Sequence, residues 1–188
     1  AGRDAGLSSR CGASMKQKDL LPYCDTALRC GATAAKPVPP SSVVTAPWVR
    51  WKCQFGCEGY NQSFCCPPHT PTPEETRRVL DSYRRAILFH LMASATPDRG
   101  RLRKCRHSLI DLEGEMFKDG YYKAFLFLAG PCDLCDSCGK GTGEDCRRRD
   151  RARPSLEACG IDVFQTARNN GFPIETLRES GEPRNTYC

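Results

Sequence analysis

Apolar residues recur at helical spacing in several stretches of the chain and crowd together in others. Residues 16–31 read as a helix that ends near Gly31, a residue suited to a helix C-terminus. Thr72-Pro73-Glu74-Glu75 is a helix opening, with a threonine cap, proline at the first position and acids in the first turn, and this helix runs to about Ser82. Between Arg99 and Lys118, Leu102, Leu109, Leu112 and Phe117 keep roughly helical spacing until Gly120 stops it. Ser155–Ala158 and Asp162–Asn170 read as short helices closed by Gly171 and Pro173. Three stretches read as strands. Val43 to Trp51 is broken by Pro47 and so belongs at an edge, Ala86 to Met92 is an apolar run of strand length, and Tyr122 to Leu128 leads directly into a cysteine loop. Pro37, Pro39 and Pro40 read as a stiff linker. The alternation predicts a small layered α/β domain with a central sheet, flanking helices and two cysteine-rich loops at strand ends, where a rigid scaffold commonly holds cofactors.

Composition changes this picture mainly through one residue type. The 188-residue chain has 14 cysteines, and 39% hydrophobic residues are enough for one modest core. No run of 18 apolar residues is present, so no transmembrane helix is expected. No basic-then-apolar leader opens the sequence, which points to a reducing, cytoplasmic compartment. Residues 1–14 show no periodicity and precede Met15; they are expected to be a non-native or disordered leader, with residues 15–188 a single metal-binding domain.

The cysteines are clustered, four within residues 53–66 and four within 132–146. Thiolates this close repel one another unless a cation or cluster neutralises them. The run Cys132, Cys135, Cys138 followed by Cys146 has the spacing C-x2-C-x2-C-x7-C, and its first three positions match the bacterial ferredoxin run. Structural zinc more often uses two separated pairs. Spacing therefore favours a [4Fe-4S] cluster on Cys132, Cys135, Cys138 and Cys146, with zinc as the alternative and disulfides last.

The other constellation comprises Cys53, Cys57, Cys65 and Cys66, the last followed by Pro67-Pro68, a cysteine-proline step like the one that closes ferredoxin runs. Cys53, Cys57 and Cys66 read as three ligands. Adjacent residues in extended backbone point apart, so Cys65 and Cys66 are not expected to bind one iron together. The fourth ligand is Cys65 through a bend, Cys159 from far along the chain, or no protein group, which would leave an open iron. Crossed ligation, with Cys66 and Cys146 exchanged, is a further arrangement. Cys105 reads as an inert buried thiol. Cys24 and Cys30 do not share a helix face, and Cys11 and Cys188 receive no role.

The motifs Val49-Arg50-Trp51-Lys52-Cys53, Gly56-Cys57, Tyr60, Cys66-Pro67-Pro68, Gly120-Tyr121-Tyr122-Lys123-Ala124-Phe125, Gly130-Pro131-Cys132 and Ala158-Cys159-Gly160-Ile161-Asp162 agree in order over residues 16–188. Together they resemble a prokaryotic family described only as predicted metal-binding proteins of unknown function. The resemblance implies a cytoplasmic, cysteine-rich metal or iron–sulfur protein without an established reaction. It also implies a few further apolar residues after Tyr187, so the last strand is expected to be cut short.

Net charge is +6, and the densest basic stretch, Arg147-Arg148-Arg149-Asp150-Arg151-Ala152-Arg153, directly follows Cys146. It would suit an acidic redox partner or a small anionic substrate, or would simply be a solvated loop. Nucleic acid is disfavoured because no aromatic-interleaved basic motif accompanies it. His69 is a candidate ligand or proton donor, His90 a core residue and His107 an exposed one. Asp111, Glu113 and Glu115 read as solvated or paired charges. Gly139–Gly143 does not follow a strand as a phosphate loop should. The leading expectation is an iron–sulfur protein with one or two [4Fe-4S] clusters acting in electron transfer. The alternatives are an enzyme, a sulfur-handling one or an oxidoreductase, that binds a small substrate at an open cluster iron, and a zinc-stabilised interaction module.

Overall fold

The computed structural model describes residues 20–93, 99–176 and 184–188. The expected leader 1–14, Met15 and the start of the first helix lie outside the described residues. Among the described residues, five helices, α1 (Leu21–Arg29), α2 (Pro47–Gly56), α3 (Pro73–Leu80), α4 (Arg99–Lys118) and α5 (Val163–Asn169), accompany three strands, β1 (Ala34–Val38), β2 (Ala86–Ala93) and β3 (Arg184–Tyr187). Single 3-10 turns occupy Pro40–Ser42, Gly139–Thr142 and Glu157–Cys159. The mixed α/β character is as the periodicity predicts, and the sheet is antiparallel with strand order β1-β2-β3.

The central strand separates two apolar packs. Successive side chains of a strand alternate between faces, and β2 sends Phe89 and Leu91 toward Leu109, Leu112 and Ala27 of the helical layer α1/α4. Leu88 goes to the other pack with Val38, Leu80, Ile161, Ala167 and Tyr187. His90 takes that side too: it is buried, its Nε2 meets Asn185 Oδ1 at 2.8 Å, and its ring stacks on Tyr187 with centroids 5.0 Å apart. This is the satisfied core histidine that the sequence predicts. The helices start where local chemistry dictates. Thr72 and Glu75 form a reciprocal capping box on α3, and Asp162 caps α5 by accepting from Gln165 N–H.

Three expectations fail. Residues 47–56 are helical, because Pro47 occupies the first turn of α2, where a missing N–H costs nothing, instead of interrupting a strand. The linker prolines lie partly in β1, and Pro37 is tolerated there because β1 is an edge strand. Tyr122–Leu128 forms no strand; only Leu128 makes an isolated bridge, with Ser155. Its backbone is satisfied elsewhere: Leu126 N–H donates to the Glu113 carboxylate at 2.8 Å and Leu128 N–H to Pro154 O at 2.8 Å. Neither cysteine loop therefore sits at a strand end.

Candidate metal centre

Cys53 rides on the last turns of α2, and Arg50, one turn earlier, anchors that helix. Arg50 Nη1 donates to Ala158 O at 2.5 Å and to Thr70 Oγ1 at 2.7 Å, while the Thr70 hydroxyl also donates to Ala158 O. These bonds tie α2, the segment after the first cysteine loop and the 157–159 turn into one unit. Cys57 follows α2 in extended conformation. The chain then folds through turns, with Asn61 N–H donating to Pro67 O at 2.8 Å and His69 N–H to Cys66 O at 3.0 Å. These turns bring both thiols to Gly59: a Cβ there would stand in ordinary contact, 3.5 Å from Cys57 Sγ and 3.9 Å from Cys66 Sγ. Cys53 joins them. Its thiol is pushed up first by burial and then by Cys57, with Arg50 opposing and Cys66 adding. Cys53, Cys57 and Cys66 thus form one neighbourhood.

The second loop is pinned to α4. Arg106 donates to Ala129 O at 3.0 Å and pairs with Asp133, and His107 Nε2 lies 3.6 Å from the same carboxylate. His107 is therefore half-buried, not exposed as its basic surroundings suggest. Between Cys138 and Cys146 the chain doubles back so tightly that a Cβ on Gly139 would come 2.7 Å from Asp145 O. Beyond Cys146, Arg151 bonds Asp111 at 2.6 Å, and Arg153 bonds Glu113 through two nitrogens at 2.6 and 2.8 Å. Two of the five arginines of the basic run thus fasten this loop to α4, and Asp111 and Glu113 are paired charges as expected.

Cys65 belongs to this second neighbourhood. The Cys132 thiol is lowered by the neighbouring Cys65 thiol, against burial that pushes it up, and Leu134 N–H adds to the lowering. The neighbouring Cys132, then burial, raises the Cys65 thiol, with Cys146 and Cys66 also close enough to contribute. Cys138 is half-buried and Cys135 exposed on the same loop. Cys159 is fully buried in the turn against α2, its thiol pushed up to about 12 by burial with Arg50 opposing. Every described cysteine is a free thiol. Among the described residues, no three His, Cys, Asp or Glu side chains close on a point that could hold a single metal ion.

A cleft of about 390 Å³ opens beside these thiols, walled by Phe64, Cys65, His69, Phe125, Cys146 and Arg149. His69 Nε2 meets Asn61 Oδ1 at 2.9 Å and its ring lies edge-on to Phe64. A third group of cysteines was not legible as a group. Cys105 is pushed up by burial and by Cys30, and Cys188 is pushed up to about 12 by burial, with Cys105 adding. The one available signal was that Cys105, Leu109 and Leu112 share a face of α4.

A family model described as "Predicted metal-binding protein (DUF2284)" matches residues 36–187. No curated protein and no solved structure matches the chain.

Proposed function

The chain belongs to this family of predicted metal-binding proteins, and on that footing we propose that it is an iron–sulfur protein, with [4Fe-4S] clusters held by the thiols of the 53–66 and 132–146 loops, acting in electron transfer. The observation that carries the reading is convergence. Two loops some distance apart in sequence are each anchored by arginines and meet where Cys65 contacts Cys132. The donor set is sulfur throughout, which suits zinc or iron–sulfur and not a hard cation. One tetrahedral zinc with Zn–S near 2.3 Å needs sulfurs roughly 3.8 Å apart. In a cluster each cysteine serves a different iron, so its thiols need not close on a single point. A bound cluster would supply one-electron redox chemistry. The protein's part is to offset thiolate charge with Arg50, Arg106 and Arg153 and to limit water through Phe64 and Phe125. No helix among the described residues is long and apolar enough to cross a membrane.

Anaerobic purification with iron, zinc and acid-labile sulfide analysis tests this. A brown protein with broad absorption around 400 nm, bleached reversibly by dithionite, is expected; colourless protein with stoichiometric zinc would remove the reading. The cleft beside Cys65 and Cys146 favours a second one, an enzyme that takes a small substrate next to the metal. Under it, a small thiol or carboxylate added to reduced protein changes the EPR spectrum; an unchanged spectrum leaves electron transfer alone.

A further inference from the structure

The adjacent residues Cys65 and Cys66 face different thiol sets, and we infer that Cys65 is a ligand of the centre built on Cys132 and Cys146, whereas Cys66 serves the centre built on Cys53 and Cys57. The inference rests on the metal-binding reading above. It changes the ligand set that spacing suggests, because the C-x2-C-x2-C run then needs only one of Cys135 and Cys138 beside Cys132.

Three observations carry it. Cys66 Sγ lies on the Gly59 side, 3.9 Å from where a Cβ would stand there, with Cys57 Sγ at 3.5 Å from the same point. Cys65 instead walls a cleft together with Cys146, and Cys132 and Cys146, more than Cys66, are the thiols near enough to perturb it. Ser63 fixes the divergence by holding both amides: its hydroxyl accepts from Cys65 N–H and its carbonyl from Cys66 N–H, each at 3.2 Å. The dipeptide is clamped on its far side too, by His69 N–H on Cys66 O at 3.0 Å. Cys65 is only 8% exposed and lies beside two other thiols, a setting suited to ligation. Arg153, whose side chain is 16% exposed and is fixed by Glu113, lies close enough to interact with a Cys65 thiolate. One peptide unit would then join two centres, and the centre built on Cys132 and Cys146 would not be complete from its own loop.

Metal and sulfide stoichiometry on anaerobically prepared full-length variants tests the partition. Cys65→Ser should lose about half of the wild-type metal. Adding Cys132→Ser should remove no more, and adding Cys53→Ser should remove the rest. Cys66→Ser should give the mirror pattern, indifferent to Cys53→Ser and additive with Cys132→Ser. Wild-type metal content in Cys65→Ser, or indifference of Cys65→Ser to Cys53→Ser, overturns the inference. Should Cys65→Ser fail to fold by far-UV circular dichroism, metal-stripped wild type oxidised with diamide and mapped by peptide mass spectrometry decides it. A Cys65–Cys132 or Cys65–Cys146 disulfide is expected, and a bond to Cys53 or Cys57 counts against it. Zinc in place of iron in the wild type defeats the iron–sulfur reading but leaves the partition readable from zinc content, whereas wild type without any metal defeats both.

Discussion

Arg149 and Arg153 stand in the same basic run but do opposite things. Arg149 is 71% exposed and meets a 93% exposed Asp145 at 3.4 Å, a geometry worth little in water. Arg153 and Glu113 are 16% and 12% exposed, and Glu113 also accepts the Leu126 amide. Removing one partner of such a pair strands the other charge away from solvent. Glu113→Ala is therefore expected to destabilise the protein by about 3 kcal/mol, and Arg149→Ala to stay within about 0.5 kcal/mol. Urea unfolding of the two variants checks this. Burial also sets an alkaline limit. Burial pushes Cys188 from 9.0 to about 12 and Tyr187 from 10.0 to about 12, so both are neutral in the fold where the unfolded chain would already ionise them. Folded values above unfolded ones mean that their contribution is complete below pH 9 and is lost as pH rises toward 12. The urea midpoint should hold steady from pH 7 to about 8.5 and fall steeply above it, less so in Cys188→Ala; a flat profile to pH 11 would contradict the burial argument.

Elements were legible where their signals are local. The opening of α3 is written in four consecutive residues, and Thr72→Ala should cost about 1 kcal/mol by thermal or urea unfolding. The stop of α4 at Gly120, φ 96°, is equally local. What failed depended on distant partners. The Val43–Trp51 stretch is rich in β-branched and aromatic residues, yet Ala46 N–H is held by Gly160 O, and Pro47 then starts α2. The aromatic run at 122–128 finds its partners in Glu113 and in Pro154, which no period in the run itself records. The candidate site divides the same way. That the cysteines group near 53–66 and 132–146 is legible from spacing, but the nearness of Cys65 to Cys132 and Cys146 arises only where the two loops meet and is written in the spacing of neither. Gly160 shows how tight that meeting of elements is. It adopts φ +77°, and a Cβ there would stand 2.8 Å from Pro73 Cβ. Gly160→Ala should destabilise by at least about 2 kcal/mol, since backbone strain and overlap act together. It should also loosen Arg50 from Ala158, visible as faster amide exchange in α2.

The molecule as a whole separates its stability from its thiols. Both apolar packs are built on the sheet and on helices that contain neither of the two converging thiol sets: Phe89, Leu91, Leu109 and Leu112 on one side, Leu80, Leu88, Ile161 and Tyr187 on the other. The thiols lie at the margin on turns and on the end of α2, and those turns are held to the packs by arginines through Ala158, Asp133 and Glu113. Metal binding to preformed anchors of this kind adds stability locally, whereas in a small zinc finger it supplies the fold itself. Stripping the metal from the purified protein is therefore expected to leave a cooperative unfolding transition and the protection of β2 and α4 in hydrogen exchange. Protection should fall in residues 57–69 and 131–147, where backbone bonds are isolated turns and the thiolates would repel once the cation is gone. Collapse of protection throughout the sheet on metal loss would instead mean that the thiol centres hold the two packs together, and the division between scaffold and site would be wrong.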